Sequence, residues 1–475
     1  MRRTIWQVTR LQSLSQRNQR SINPWPFSTS MIKLRWGIRG DPGIRHEHRK
    51  LSLFAAIALV MGNMIGSGVF LLPASLAPFG WNAVIAWIVV TAGTMVLAWV
   101  FAALTRARPD ARDPAGFVTE AFGEVPAFLV NWAYWVSVWT ANVTIAVAAI
   151  SYASAFFPAI GETALVPAAL AIVVVWSVTA INLRGVRTAG NFQIVTLLLK
   201  TIPLIAVIVL AGLILGEGSS DIRAFDIREI NGLDLRAAAA MTMFALLGFE
   251  CASIAAARVE KPEVNVAKAT LWGTALTGLI YLLVCSAVAL MLPQDLASSS
   301  PAPLATFVEY HWAAGPAALV TLFAIISCVG ALNGWVLIQG EMPRAMAERG
   351  VLPSWFGKTD AKGTPVRALV VTSMIATVCL ALNSSRTMQG IFEFLLLLST
   401  SAALWLYLAV AVAAWRLKVV RPFALIGSAY AIWTLWGAGI EASGWSLVLM
   451  LAGLPLYWWA KREDRLAAAP VANNE

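Results

Sequence analysis

The sequence predicts an all-α integral membrane protein with twelve transmembrane helices. Hydrophobic residues make up 59% of its 475 residues and charged residues only 13%, and the mean hydropathy is +0.72. Soluble domains carry roughly 45–50% apolar and about 25% charged residues, so this composition argues strongly against a soluble globular enzyme. Apolar stretches close to the ~20 residues that a helix needs to cross a bilayer recur along almost the whole chain.

The apolar segments give the predicted helices in order. Each segment is bounded by a loop that carries charged, proline or glycine residues. The first ten segments form two groups of five, and the last two are additional. The segments are 52–76, 81–105, 126–157, 164–183, 190–215, 234–257, 269–292, 315–343, 366–383, 390–415, 422–440 and 443–460.

The basic residues predict the orientation of these helices. The net charge is +10, from 35 Lys and Arg against 25 Asp and Glu, and thirty of the 35 lie on one predicted side of the membrane. The other side holds only Arg223, Arg228, Arg236 and Arg386, and Lys200 lies within a span. Because cytoplasmic loops carry an excess of Lys and Arg, we expect a multi-pass protein of the plasma (inner) membrane with both termini cytoplasmic. Charge confined to short loops, not spread over one solvated face, also argues against a nucleic-acid partner.

Cysteine and histidine positions argue against metal and disulfide chemistry. The four cysteines lie singly in apolar segments, and the three histidines lie outside them. Disulfide frameworks and zinc sites need paired spacings that are absent here. The sequence also contains no phosphate-binding loop of the Walker type. We therefore expect no metal, no cofactor, and no use of ATP as the energy source.

Two predicted helices contain breaks. In the first, residues 62–68 read Gly-Asn-Met-Ile-Gly-Ser-Gly, and in the sixth, residues 244–250 read Phe-Ala-Leu-Leu-Gly-Phe-Glu. Glycines weaken a helix, and unwound backbone at membrane depth is tolerated only where it is buried in protein or lines a cavity. Plainer explanations exist: close packing through small residues for the first break, and a structural salt bridge for Glu250. Because both breaks hold equivalent positions in two five-helix repeats, their coincidence favours a transporter.

This organisation predicts the domain boundaries. The transporter domain is expected at 51–461. Residues 1–50 are polar, basic and aperiodic, which predicts a disordered cytoplasmic tail or a start codon assigned too early, with Met31 as one alternative start. The two repeats, the extra helices and the C-terminal cytoplasmic tail are expected at about 52–215, 234–415, 422–460 and 462–475.

Lys200 is a second charged residue inside a predicted span, near the middle of the fifth segment. One interpretation is a proton carrier, and another is a fixed cation that braces the broken first helix. A lysine can also extend its ammonium group to the membrane surface, although the central position of Lys200 disfavours this.

The breaks predict the chemistry of a ligand. Free N–H groups at the start of a half-helix favour a carboxylate, and unwound carbonyl groups accept from an ammonium, so one α-amino acid backbone fits both. Aromatic residues beside polar or small ones suggest where its side chain lies, because an indole ring can hold a cation, although each aromatic alone is more often a packing residue. These residues are Tyr134, Trp135, Ser137, Val138, Asn142 and Trp335.

These residues resemble the amino acid–polyamine–organocation transporter superfamily over about 50–460. The most specific stretch is 63–77, NMIGSGVFLLPASLA, followed by 348–353, ERGVLP, with 362–366, KGTPV. Residues 248–253, GFECAS, and the Tyr134-Trp135 pair with Asn142 add support. Within the superfamily the chain is most similar to the basic amino acid/polyamine antiporters, particularly the arginine/agmatine type.

The resemblance implies a fold and roles for single residues. It implies a LeuT-type 5+5 inverted repeat with broken first and sixth helices plus two extra helices, and sodium-independent alternating access, with a homodimer as one expected assembly. It also implies that the chain is not an enzyme and that its partners are a small amino acid or amine substrate and membrane lipid. The implied substrate-binding residues are Met64, Ser67, Gly68, Ser137, Val138, Asn142, Ile145, Phe244, Leu247, Trp335 and Ser401. The implied gating residues are Tyr134, Phe244, Glu250 and Trp335.

Departures from the family pattern keep the substrate open. Phe244 stands where the arginine/agmatine type has a tryptophan gate, and Lys200 matches a lysine that proton-coupled permeases place where sodium would bind. The leading hypothesis is exchange of a cationic amino acid for its decarboxylated amine. The alternative is a proton-coupled permease or exporter for neutral amino acids that uses Lys200. A membrane enzyme would need clustered catalytic groups at one membrane face, which the loops lack, and the two mid-helix breaks favour a carrier over a channel.

Overall fold

The computed structural model describes residues 51–111, 113–163, 165–184, 189–218, 222–254 and 259–468. The predicted N-terminal tail and residues 469–475, the second half of the predicted C-terminal tail, lie outside these residues. The described residues form eighteen α-helices, α1 to α18, connected by short loops and 3-10 turns. In chain order the helices are Leu53–Met64, Ser67–Leu76, Trp81–Ala107, Pro114–Phe122, Glu124–Ser154, Leu165–Leu183, Ala189–Glu217, Gly232–Ala245, Cys251–Ile254, Pro262–Met291, Gln294–Ser299, Pro303–His311, Ala314–Glu348, Val366–Asn383, Met388–Arg416, Arg421–Gly437, Gly439–Leu451 and Leu454–Ala468.

The helix ends follow from residues with defined capping chemistry. Asn231 precedes α8, and its side-chain oxygen accepts from the backbone N–H of Leu233 at 3.1 Å and of Asp234 at 2.8 Å. Thr387 caps α15 in the same way, accepting from the N–H of Gly390 at 3.1 Å. Such caps satisfy donors that have no partner within the helix. Proline opens α4, α10 and α12, where its missing N–H costs no helical hydrogen bond.

Ten of the predicted spans match helices that can cross a membrane. Within the described ranges, nine helical stretches are long and apolar enough, one of which runs from Gly439 to Glu463 across α17 and α18. The helix α1 with the segment Ser67–Phe79 makes a tenth if this bent pair is one span. The other two predicted spans fall short of that length. The segment 234–257 is divided into α8 and the short α9, and the segment 422–440 is α16, with 17 residues. The twelve-helix count and the inverted repeat therefore stay predictions.

Helix α5 lies at the centre of the fold. Its apolar stretch is 94% buried, whereas the corresponding stretch of α14 is 33% buried and leaves most of its surface to the outside. It packs against α13 on one side and α15 on another. The broken pair α1 and α2 packs against α10, and α2 also contacts α5 and α8. A helix buried all round can carry polar groups away from lipid, and α5 carries several.

Candidate functional site

The backbone leaves the helical conformation at residues 65–66, between α1 and α2. Ile65 is extended, with φ −71° and ψ 93°, and Gly66 has φ −131° and ψ −146°. The two helix axes consequently meet at a bend of 46°. The first N–H groups of α2 have no acceptor within the helix, because an acceptor would have to lie in the preceding turn.

The second break lies between α8 and α9 and faces the first. Gly248, in the turn after α8, has φ +103°, a conformation that side-chain-bearing residues disfavour. A Cβ atom added at Gly68 would lie 2.8 Å from the Cβ of Ala245, the last residue of α8. The two breaks thus approach each other more closely than any larger residue at position 68 would permit.

Two side chains hold the carbonyl groups that the first break frees. The Tyr281 hydroxyl donates to the carbonyl of Met64 at 2.8 Å, and the Lys200 ammonium donates to the carbonyl of Gly62 at 3.3 Å. Lys200 is 2% exposed, so its amine lies inside the protein and does not extend to the membrane surface. Its position fits the predicted brace of the broken helix.

A cavity of about 30 Å³ lies where α2, α5, α8 and α13 meet at the breaks. This volume suits a few water molecules and is far smaller than the roughly 300–1,000 Å³ typical of ligand pockets. None of its lining residues carries a charge. They are Asn63, Met64, Gly66, Ser67, Gly68, Tyr134, Ser137, Val138, Ala141, Ile145, Phe244, Ala245, Leu247 and Trp335.

Ten of the residues singled out in the sequence lie around this cavity. They are Met64, Ser67, Gly68, Tyr134, Ser137, Val138, Ile145, Phe244, Leu247 and Trp335. The sequence reasoning named no role for Asn63, Gly66, Ala141 and Ala245, although all of them except Ala141 lie within the two predicted breaks. Helical periodicity gives a signal for Ala141, which follows Val138 by three residues and precedes Ile145 by four.

Three predicted residues lie outside the lining. Asn142 is fully buried and donates from Nδ2 to Oε1 of Gln339 at 2.7 Å. Glu250 lies beyond Tyr134, and Ser401 lies on another face of α15, where its hydroxyl is 3.4 Å from that of Ser443. For these three residues the structure shows no direct contact with the cavity.

Ser399 is the α15 serine that reaches the site. Its hydroxyl donates to the carbonyl of Ser137 at 2.9 Å and lies 3.4 Å from the Ser137 hydroxyl. Ser137 itself lines the cavity. The expected position was two residues away, at Ser401, and two residues correspond to roughly 200° of rotation about a helix of 3.6 residues per turn.

Glu250 accepts hydrogen bonds from two tyrosines. Tyr134 donates to Oε1, and Tyr407 donates to Oε2 at 2.9 Å. The ring centroids of Phe101 and Phe249 lie 5.7 and 4.9 Å from that of Tyr407, so aromatic packing surrounds this second donor. Sequence reasoning missed Tyr407, whose only signal is a lone tyrosine in an apolar segment. Since Tyr134 lines the cavity, these contacts join the cavity wall on α5 to α15.

An ion pair outside the membrane-spanning segments connects α4 with the end of α13. The Asp113 carboxylate accepts from the N–H of Gly116 at 2.7 Å, capping α4, and pairs with the Arg349 guanidinium at 2.7 Å. Burial raises the pKa of Asp113 above its ordinary value of 3.8, and the charge of Arg349 offsets only part of this rise.

Metal binding has no support in the described part of the chain. No three His, Cys, Asp or Glu side chains come together there as a metal site would require.

Comparison with known proteins places this site in a family context. The family model described as amino acid permease matches residues 51–459. The chain is 28% identical to the putrescine transporter of Haemophilus influenzae over 86% of this chain and 97% of that protein. It is 30% identical to the cadaverine/lysine antiporter of Escherichia coli over 72% of this chain and 77% of that protein. It is also 30% identical, over 79% of this chain and 85% of the relative, to a Bacillus subtilis protein whose name proposes arginine/ornithine antiport.

Proposed function

The chain belongs to the amino acid permease family, and on this premise we propose that it is a secondary active transporter that exchanges a cationic amino acid for its decarboxylated amine. Arginine and agmatine are the proposed pair, and alternating access is the proposed mechanism. The family consists of transporters and not enzymes, and the relatives above are named for polyamine and amino acid transport. The observation that carries the proposal is an uncharged cavity between two facing helix breaks.

The first break suits the carboxylate of an amino acid. The opening N–H groups of α2 lack helical acceptors, and the start of a helix carries a partial positive charge. The Ser67 hydroxyl beside them is buried and has no hydrogen-bond partner. A carboxylate at this position would accept from both. The substrate ammonium would then lie toward the turn after α8, near Leu247.

The rest of the cavity suits a cationic side chain. Trp335 and Phe244 both line it, and an aromatic face attracts a guanidinium or ammonium group with about 0.5–2 kcal/mol. The lining contains no Asp or Glu, so the cavity does not require a substrate of one particular net charge. A site of this kind can hold arginine with its carboxylate and agmatine without one, as an exchanger must.

Three of the four proposed gating residues line the cavity, and the fourth, Glu250, binds one of them, Tyr134. Tyr134, Phe244 and Trp335 would close over the substrate, because their rings already border the space it would occupy. Glu250 would hold the closed form by accepting from Tyr134, and Tyr407 is added here as its second donor. Release would require these bonds to open.

Counterflow in proteoliposomes tests the proposal. Vesicles are loaded with arginine, and uptake of external labelled arginine is measured with agmatine, putrescine, ornithine, leucine or alanine as competitors. Uptake that agmatine blocks and that empty vesicles lack supports the exchanger. Uptake of a neutral amino acid but not arginine refutes it.

Two tryptophan variants sharpen the counterflow test. Trp335→Leu should weaken arginine competition about five- to thirtyfold, from about 1–2 kcal/mol of lost cation–π attraction. Trp272 lies on α10 with 58% of its surface exposed, so Trp272→Leu is the matched control and should stay near the wild-type value. Equal effects in both variants would contradict the role of Trp335.

A second candidate function rests on the contact of Lys200 with the broken helix. A proton-coupled permease for neutral amino acids could use this buried amine, because its hydrogen bond to Gly62 ties its charge state to the break. Net uptake of leucine or alanine into empty vesicles, driven by an imposed pH gradient and lost in Lys200→Met, would support it. Strict dependence on internal substrate would exclude it.

A further inference from the structure

Four polar side chains from four helices form a hydrogen-bonded chain that ends beside the cavity. Asn142 on α5 contacts Gln339 on α13 at 2.7 Å, Gln339 contacts Ser373 on α14 at 3.2 Å, and Ser373 contacts Thr179 on α6 at 2.8 Å. All four side chains are fully buried. A buried polar chain of this kind is costly unless its donors and acceptors match along its whole length.

The far end of the chain sets the direction of its hydrogen bonds. The Thr179 hydroxyl has one proton, which it donates to the carbonyl of Val175 at 2.8 Å. Thr179 can then only accept from Ser373, so Ser373 donates to it and accepts from Nε2 of Gln339. The reverse order would remove the Thr179 proton from Val175 and would lose one hydrogen bond. Orientation of the amides is inferred from such networks, and this one favours a single order.

The same order fixes the orientation of Asn142. With Nε2 of Gln339 turned to Ser373, Oε1 of Gln339 faces Asn142 and accepts from its Nδ2. This leaves Oδ1 of Asn142 as a buried acceptor without a partner. Asn142 lies one helical turn after Val138 and less than one before Ile145, and both of these line the cavity.

We propose that Gln339 and Ser373 are positioning residues that keep Oδ1 of Asn142 as an acceptor for the cationic end of the substrate. This inference rests on the proposed function. A reversed amide would present an N–H₂ group in place of the oxygen and would repel a guanidinium or ammonium group. Thr179, Ser373 and Gln339 thereby favour a charged substrate through Asn142, without touching the substrate themselves. Trp135 adds to this framework, since its indole N–H donates to the carbonyl of Gln339 at 3.0 Å.

The test compares arginine with citrulline, which has nearly the same shape but no charge. In Gln339→Met, which has similar length and no hydrogen-bonding amide, the KM for arginine should rise about tenfold or more, as expected for a lost hydrogen bond to a charged group. The KM for citrulline should change much less, so the preference for arginine falls. Gln339→Glu should restore the preference, because a carboxylate can only accept from Nδ2 of Asn142.

A matched pair at the far end separates positioning from packing. Thr179→Val removes the acceptor that directs Ser373, whereas Thr179→Ser keeps the hydroxyl and removes a methyl group. The preference for arginine should fall in the valine variant and stay in the serine variant. This pair keeps the test decisive if Gln339→Met does not yield folded protein.

The results separate the positioning role of Gln339 and Ser373 from the proposed transport function. Wild-type protein that exchanges arginine, with a preference unchanged in Gln339→Met and Thr179→Val, overturns the positioning role alone. Equal loss of arginine and citrulline transport also overturns it, because a purely structural defect would lower both. Wild-type protein that takes citrulline or leucine but no cationic substrate overturns the proposed function, and the inference with it.

Discussion

Gly68 provides the sharpest test of the geometry at the two breaks. In Gly68→Ala the new Cβ would lie 2.8 Å from the Cβ and 3.0 Å from the Cα of Ala245. Carbon atoms in contact prefer about 3.5–4.0 Å, so α2 and α8 would have to separate by roughly 1 Å. Gly444→Ala on α17 is the matched control, because a Cβ added there would have no neighbour within 4 Å and Gly444 does not line the cavity.

The magnitude follows from the cost of overpacking. An extra methyl group forced into a packed site costs about 1–3 kcal/mol, which corresponds to roughly a five- to 150-fold loss in apparent substrate affinity if the breaks must meet in the bound state. The assay measures the arginine concentration that gives half-maximal counterflow. The gel-filtration elution volume checks that each variant is folded. Gly444→Ala should remain within about twofold of wild type.

A compensating variant distinguishes a local clash with Ala245 from a general folding defect. Ala245→Gly removes the Cβ that the new methyl group meets, so it should restore part of the activity in the Gly68→Ala background. Rescue would be incomplete, because the Cα of Ala245 remains at 3.0 Å. Equal losses in Gly444→Ala and Gly68→Ala, or no rescue, would refute the close approach of the two breaks.

Three further predictions concern stability, each measured as the unfolding temperature in detergent. Tyr407→Phe removes a donor to Glu250 and should cost about 1–2 kcal/mol, whereas Tyr310→Phe at an exposed position should change nothing. Gly248→Ala should destabilise by at least about 1–2 kcal/mol, because φ is +103° there; a stable Gly248→Ala would mean that the turn differs. Asp113→Asn should keep the helix cap but abolish one pH dependence, with the unfolding temperature of wild type rising relative to the variant as pH falls from 7 toward 4.

The sign of the Asp113 effect follows from its raised pKa. The folded protein binds this proton more tightly than the unfolded chain does, so protonation stabilises the fold. The contribution is complete below pH 3.8 and is lost as pH rises through the higher pKa of the folded state. Subtracting the unfolding temperature of Asp113→Asn from that of wild type at each pH cancels the contributions of all other titrating groups. A difference that stays constant with pH would show that burial of Asp113 is compensated by its pairing with Arg349.

The helix breaks could be predicted because their signals are local. Three glycines within residues 62–68, and a glycine beside Glu250, weaken a helix whatever packs around them. Ten of the predicted spans also correspond to helices that can cross a membrane, because apolar length is read directly from the chain. The predicted count of twelve exceeds these ten, because α16 has only 17 residues and the sixth segment is divided in two.

The partners of the site residues could not be predicted in the same way. Residues 399–401 read Ser-Thr-Ser, and only the rotation of α15 decides which hydroxyl meets α5; the structure selects Ser399 over Ser401. Tyr407 lies 157 residues from Glu250 in the sequence, and Gln339 lies 197 from Asn142. Contacts of this range depend on how four or five helices pack, which no local pattern encodes.

The buried polar groups that lack hydrogen-bond partners indicate which way round a ligand would bind in the site. The carbonyl groups freed by the first break already accept hydrogen bonds from Tyr281 and Lys200. Two buried atoms near the cavity have no partner: the hydroxyl of Ser67, which lines it, and Oδ1 of Asn142, which lies one helical turn from the lining residue Val138. Each such atom costs about 1–3 kcal/mol while it is unpaired, so a ligand that satisfies both recovers this free energy on binding. Ser67 can donate to a carboxylate and Oδ1 can only accept, which favours a molecule with an anion at one end and N–H donors at the other.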